Sequence, residues 1–342
     1  MNRLILIGNG FDLAHNLKTS YKDFILWYLI NCFCSTNNNK GFEDEFFAIT
    51  KHRDQICEEK NISVKSLVEK YFRENIIQLI DDKILSYEDL SFNNPFKVSL
   101  KSPFFKNILT KCINANWVDI ENEFYTQLKI ILHKHQSHRK NELIDLNNSL
   151  KFIISQLEIY LQEIKVTHIH PDYSEIFDSK VEDMDFVKKI GSRELELKNS
   201  LILNFNYTNT IENYFKSNDY LINPKYIKVN YIHGKIGDKK NPLIFGFGDE
   251  LDEDYKKMEL EKTKGFFNYI KSFWYFQTSN YHNLIRFIES EDFQVFILGH
   301  SCGLSDRTML NMIFEHKNCQ SIKIFYHQKI SGENNHRELT EE

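Results

Sequence analysis

Asn206 and His233 are the two side chains in this sequence of 342 residues best suited to act as a chemical pair. An asparagine amide both donates and accepts, so it can hold a water or a sugar hydroxyl in a fixed direction. A histidine titrates near neutrality and can take the proton from that group. Gly234 follows His233 directly and leaves room for a substrate to approach. Plainer uses compete: Asn206 as the cap of a helix starting near Thr208, and His233 as a half-buried imidazole bonded to backbone. Asp12, Asp119, Glu121, Asp249 and Asp306 are the carboxylates available for support. Of these, Asp306 stands just before the helix expected from Arg307 and suits a cap. Asp119 and Glu121, two positions apart, face different directions on a helix.

The elements that must position this pair begin with Arg3-Leu4-Ile5-Leu6-Ile7-Gly8-Asn9-Gly10-Phe11-Asp12. Four consecutive aliphatics leave no polar face, as in a strand covered on both sides. Gly8 and Gly10 then permit a sharp turn and close approach of the backbone. The third glycine of a dinucleotide fingerprint would fall at Leu13, and no G-x-x-x-x-G-K-S/T loop is present. Further strands are expected at Leu201–Tyr207, Tyr226–His233, Leu243–Asp249, Phe293–Leu298 and Ser321–Tyr326. Gly8, Gly10, Asn206, His233, Gly246, Gly248 and the run Gly299-His300-Ser301 all fall at or just past the ends of these strands, where such sheets bind ligands.

The pattern predicts an α/β fold: a Rossmann-like, mainly parallel sheet with helices on both faces and a large helical insertion. The core takes residues 1–40 and 199–330, the insertion 41–198, and a polar tail 331–342. Ser20 and Asp23 suit a helix start, and Cys32 to Gly41 suits an exposed loop. Helical periodicity covers Ile62 to Leu79, Ile113 to His133, Leu143 to Ile164 and the stretch Glu250 to Glu289. The aromatic cluster within the last of these, Phe266 to Phe276, suits core packing or a homo-oligomer interface more than stacking on a base.

No apolar run approaches the roughly 20 residues needed to span a membrane, and the apolar start is too short for a secretory signal. The net charge of -5 weighs against nucleic acid as a partner. Six cysteines without a C-x-x-C pair fit reduced thiols in a cytoplasmic protein. His133, His135 and His138 resemble a metal run, but residues at that spacing do not converge on a helix.

Ile7-Gly8-Asn9-Gly10-Phe11-Asp12-Leu13-Ala14-His15, followed by Thr19-Ser20-Tyr21-Lys22-Asp23-Phe24, resembles the AbiH family of phage abortive-infection proteins. Trp117-Val118-Asp119-Ile120-Glu121, Asn204-Phe205-Asn206-Tyr207-Thr208, Ile232-His233-Gly234 and Leu298-Gly299-His300-Ser301 with Asp306 extend the resemblance over nearly the whole chain. It implies a role in antiviral defence, with a phage-derived trigger as partner, and supplies no reaction.

The order of motifs is also similar, more distantly, to sirtuin-like proteins. That likeness implies NAD as substrate and gives Asn206 and His233 the catalytic roles in cleaving its nicotinamide–ribose bond. Gly8, Gly10 and Ser301 would line the cofactor site, with Asn9, Phe11, Asp12, Tyr207, Gly234, Gly299 and His300 completing the expected lining. Thr208 stands where sirtuins usually carry an acid, Asn9 replaces a small residue, and the four-cysteine zinc module is missing. A protein deacylase is therefore disfavoured, and no metal is expected. The competing functions are a nucleotide-sensing module that signals to a partner without turnover, and a metal-dependent nuclease.

Overall fold

Leu4, Ile5, Leu6 and Ile7 are fully buried, and their strand, β1 (Asn2–Ile7), is the middle strand of a five-stranded sheet. The remaining strands are β2 (Gly41–Glu43), β3 (Phe47–Lys51), β4 (Phe96–Leu100), β5 (Ser200–Asn204), β6 (Ile227–Tyr231), β7 (Phe293–Leu298) and β8 (Cys319–Phe325). The computed structural model describes residues 1–39, 41–51, 63–74, 96–111, 117–167, 169–170, 172–186, 196–216, 226–247 and 252–326. Two compact units emerge: Met1–Thr19 with Leu161–Leu260 and Tyr269–Glu342, and Ser20–Tyr160 with Glu261–Asn268. These changes of unit fall at 19/20 and 160/161, where the sequence suggested 40/41 and 198/199.

In the first unit the strand order is β6-β5-β1-β7-β8, and every neighbouring pair is parallel. Alternation along each strand sorts the core into two layers. Leu4, Leu6, Leu201, Leu203, Val295 and Ile297 meet Leu284 and Ile288 from helix Asn280–Ser290 and Leu310 and Ile313 from helix Arg307–Phe314. Ile5, Ile7, Ile202, Phe296 and Leu298 meet Phe11, Phe177, Ile211 and Tyr214. Helices therefore cover both faces, as the sequence pattern predicts. The chain winds outward from β1 through β5 to β6, then returns to the other side of β1 for β7 and β8. The strand order thus reverses between β1 and β7, the kind of switch point where open α/β sheets bind ligands.

Leu243 to Phe247 do not form the predicted strand. Ile244 N–H instead donates to the His233 carbonyl at 2.8 Å, and Phe247 makes an isolated bridge to Ile270. Gly248, Asp249 and the predicted polar tail lie outside the described residues.

The second unit corrects two expectations. Ser20 and Asp23 form a reciprocal capping box, Asp23 N–H donating to Ser20 Oγ at 3.2 Å and Ser20 N–H to Asp23 Oδ2 at 3.3 Å. The helix they start runs from Tyr21 to Asn39, through the predicted loop, because Cys32, Phe33 and Thr36 are buried along it. The region expected to be mostly helical also holds the antiparallel sheet β2-β3-β4. Ile49 pairs with Val98 there, and Phe47, Ile49, Phe96 and Val98 are all buried.

Candidate functional site

At the switch point two stretches of backbone touch. Gly8 N–H donates to the Leu298 carbonyl at 3.1 Å, and Gly10 N–H to the Gly299 carbonyl at 2.8 Å. A Cβ on Gly8 would sit 2.5 Å from His300 Cα, and one on Gly10 would sit 2.8 Å from Gly299 Cα. Gly299 itself has φ +63°, and its Cβ would lie 2.4 Å from Phe11 N. The three glycines are thus used for chain-to-chain contact.

A first polar network follows from that contact. Asp12, on the short helix Asn9–Ala14, is 1% exposed and accepts from Thr208 Oγ1 at 2.6 Å. Thr210 Oγ1 lies 3.1 Å from Thr208 Oγ1. Burial pushes the Asp12 carboxyl up to about 6, against the hydrogen bonds from Thr208, Thr210 and Asn206. Asn206 Nδ2 donates to the Gly8 carbonyl at 2.9 Å, tying the end of β5 to the glycine turn. Asn206 is therefore no helix cap. The turn Thr210–Glu212 begins at Asn209 without a side-chain cap.

A second network surrounds His233. Its Nε2 lies 3.0 Å from Asp306 Oδ1 and 3.0 Å from the Tyr275 hydroxyl. Lys271 Nζ donates to the same carboxylate oxygen at 2.9 Å, and Ser305 Oγ lies 3.4 Å from that ammonium. All five residues are buried, Lys271 to 1% exposure. Asp306 occupies the N-cap position of helix Arg307–Phe314 but makes no side-chain cap bond, so the cap reading gives way to an ion-pair centre. Burial opposes ionisation of Asp306, yet Lys271 and His233 hold its carboxyl well below the usual carboxylate range. His300 Nδ1 accepts from Cys302 N–H at 2.9 Å, and burial pushes this imidazole down to about 4 against the attraction of Asp306. The Phe205 ring lies 5.0 Å from the His233 ring and 4.0 Å from that of His300.

An ionised carboxylate only accepts, so Nε2 of His233 carries the proton of that hydrogen bond. A cavity of about 190 Å³ borders Tyr275, Ser305 and Asp306 of this network, and Phe276, Tyr281 and Met309 make its wall more apolar than polar. Such a centre can orient a base beside a recess.

The two residues singled out first, Asn206 and His233, thus belong to separate networks at neighbouring strand ends. Phe11 is 1% exposed and spent on core contacts with Tyr173, Phe177 and Tyr214. The Tyr207 hydroxyl donates to the Ile244 carbonyl at 3.0 Å. Gly234 has φ +90°, with the Pro242 carbonyl where a Cβ would stand. Asn9 and Ser301 are half-buried. Glu121 is buried in the second unit, while the side chains of Trp117 and Asp119 fall outside the described residues. His133, His135 and His138 are exposed, and among the described residues no group of three His, Cys, Asp or Glu could hold a metal ion. Lys271 escaped the sequence reading, and Tyr275 entered it only as part of the aromatic cluster; a lysine set among aromatic residues was the available signal.

No curated protein and no solved structure matches the chain, so the sirtuin-like likeness remains one of motif order alone. A family model described as bacteriophage abortive infection AbiH matches residues 4–328, and the chain belongs to that family.

Proposed function

We propose that this abortive infection protein hydrolyses NAD to nicotinamide and ADP-ribose at the carboxyl ends of β1, β5, β6 and β7. The observation that carries the reading is the buried pair of His233 and Asp306 near the sheet's switch point, with Asp306 also in the wall of a cavity. Water attacks the ribose C1′ while the C1′–N bond breaks, and its electron pair neutralises the positive ring of the departing nicotinamide. His233 Nδ1 takes the proton from that water, and Asp306 stabilises the imidazolium that forms. Asn206, its amide N–H held by the Gly8 carbonyl, keeps its own carbonyl oxygen for a ribose hydroxyl. The cavity is smaller than the roughly 300–1,000 Å³ of drug-sized sites, which suits the nicotinamide end with the adenosine outside.

A sensing module without turnover is the second reading. Its support is the seating of Gly8 and Gly10 against Gly299 and His300, which commits the glycine turn to packing. The two readings separate in one experiment: purified protein with NAD, followed for both thermal stability and free nicotinamide. Turnover that disappears in Asp306→Asn supports the hydrolase. Stabilisation by NAD with no nicotinamide supports the sensor.

A further inference from the structure

A cavity of about 470 Å³ lies at the opposite, amino-terminal edge of the same sheet, where Asn2 opens β1 and Ser200 opens β5. Its size falls within the range of small-molecule sites. Strands of five residues separate it from the candidate active site by roughly 17 Å. We infer that this cavity is a second ligand site and takes a phosphorylated nucleoside whose base carries an amino group.

Three observations converge on that class. First, two asparagines in its lining have buried carbonyl oxygens without a donor, Asn2 Oδ1 and Asn230 Oδ1. Their orientations are fixed by their other halves. Asn230 Nδ2 donates to the Asn280 carbonyl at 2.7 Å. Asn2 Nδ2 donates to Ser290 Oγ at 3.1 Å, whose own hydroxyl donates to the Phe287 carbonyl at 2.7 Å. Leaving such acceptors unpaired costs about 1–3 kcal/mol each, so a ligand donor has something to gain there. Second, Lys228 and Arg286 line the cavity, are exposed, and have no ion-pair partner among the described residues. A phosphate is the group that a guanidinium and an ammonium hold together. Third, Tyr226, 49% exposed, places an aromatic side chain in the lining, a residue type on which bases stack. The buried amide acceptors suit an exocyclic amine, and the exposed cations suit the phosphate.

This inference does not rest on the NAD reading, since the two sites share no residue. Calorimetric titration of the full chain with AMP, CMP and GMP tests it, with adenosine and inorganic phosphate as partial probes. At least one of the three nucleotides should bind. Arg286→Glu and Lys228→Glu, both surface changes, should each weaken binding at least tenfold, and His233→Ala should leave it unchanged. Adenosine or phosphate alone should bind at least tenfold more weakly. Absence of binding by all three nucleotides would overturn the inference. So would binding indifferent to both charge reversals, loss of binding in His233→Ala, or inorganic phosphate binding as tightly as a nucleotide.

Discussion

One carboxylate oxygen, Asp306 Oδ1, receives Lys271 and His233 while itself 7% exposed as a residue, so its charge governs the surrounding chemistry. Asp306→Asn leaves a buried ammonium without its partner and should cost about 3–5 kcal/mol in urea denaturation. The double change Lys271→Met with Asp306→Leu should recover most of that stability and none of the activity. Asp12 gives a pH-dependent counterpart. Its folded value of about 6 exceeds the ordinary 3.8, so its contribution is full below 3.8 and is lost as pH rises through 6. Asp12→Asn should therefore match the wild type near pH 4 and exceed it by on the order of 2–3 kcal/mol at pH 7.5. Equal differences at both pH values would contradict this. His300 acts with the opposite sign: held at about 4, it favours folding above 6.5 and ceases to as pH falls toward 4. The sequence exposed Asn206 and His233 because polar residues at the ends of apolar strands stand out. It hid the role of Asp306, because an aspartate before a helix satisfies the capping pattern whether or not its oxygen bonds the amides.

At the scale of elements, the capping box and the glycine contact each carry a test. Ser20→Ala should cost about 1 kcal/mol by loss of its bond to Asp23 N–H, read by chemical denaturation. Gly8→Ala meets His300 Cα and the Gly299 carbonyl, both backbone, and should cost about 1–3 kcal/mol. A neutral Gly8→Ala would show that the β1 and β7 ends can part freely. The parallel strands were legible because continuous apolar runs followed by glycine or polar residues have few other uses. The sheet β2-β3-β4 was not, because its strands have three, five and five residues and alternate too briefly to stand out from helical neighbours. The helix through Cys32 to Asn39 was missed for a related reason: asparagine-rich composition signals a break, while burial of Phe33 and Thr36 decides otherwise.

For the molecule as a whole, the strand order β6-β5-β1-β7-β8 gathers pieces nearly 300 residues apart, from Gly8 to Asp306, at one edge of a single sheet. No described helix is long and apolar enough to cross a membrane. Family membership supplies the defence role, and the pairing of His233 with Asp306 supplies the chemical hypothesis. The most direct test is to incubate the purified chain with NAD, alone and with lysate of phage-infected cells, and follow nicotinamide by chromatography. The wild type should release nicotinamide in at least one of these conditions, and His233→Ala should lower the rate by about 10²–10⁴-fold. A wild type as inert as His233→Ala in both conditions would contradict the account.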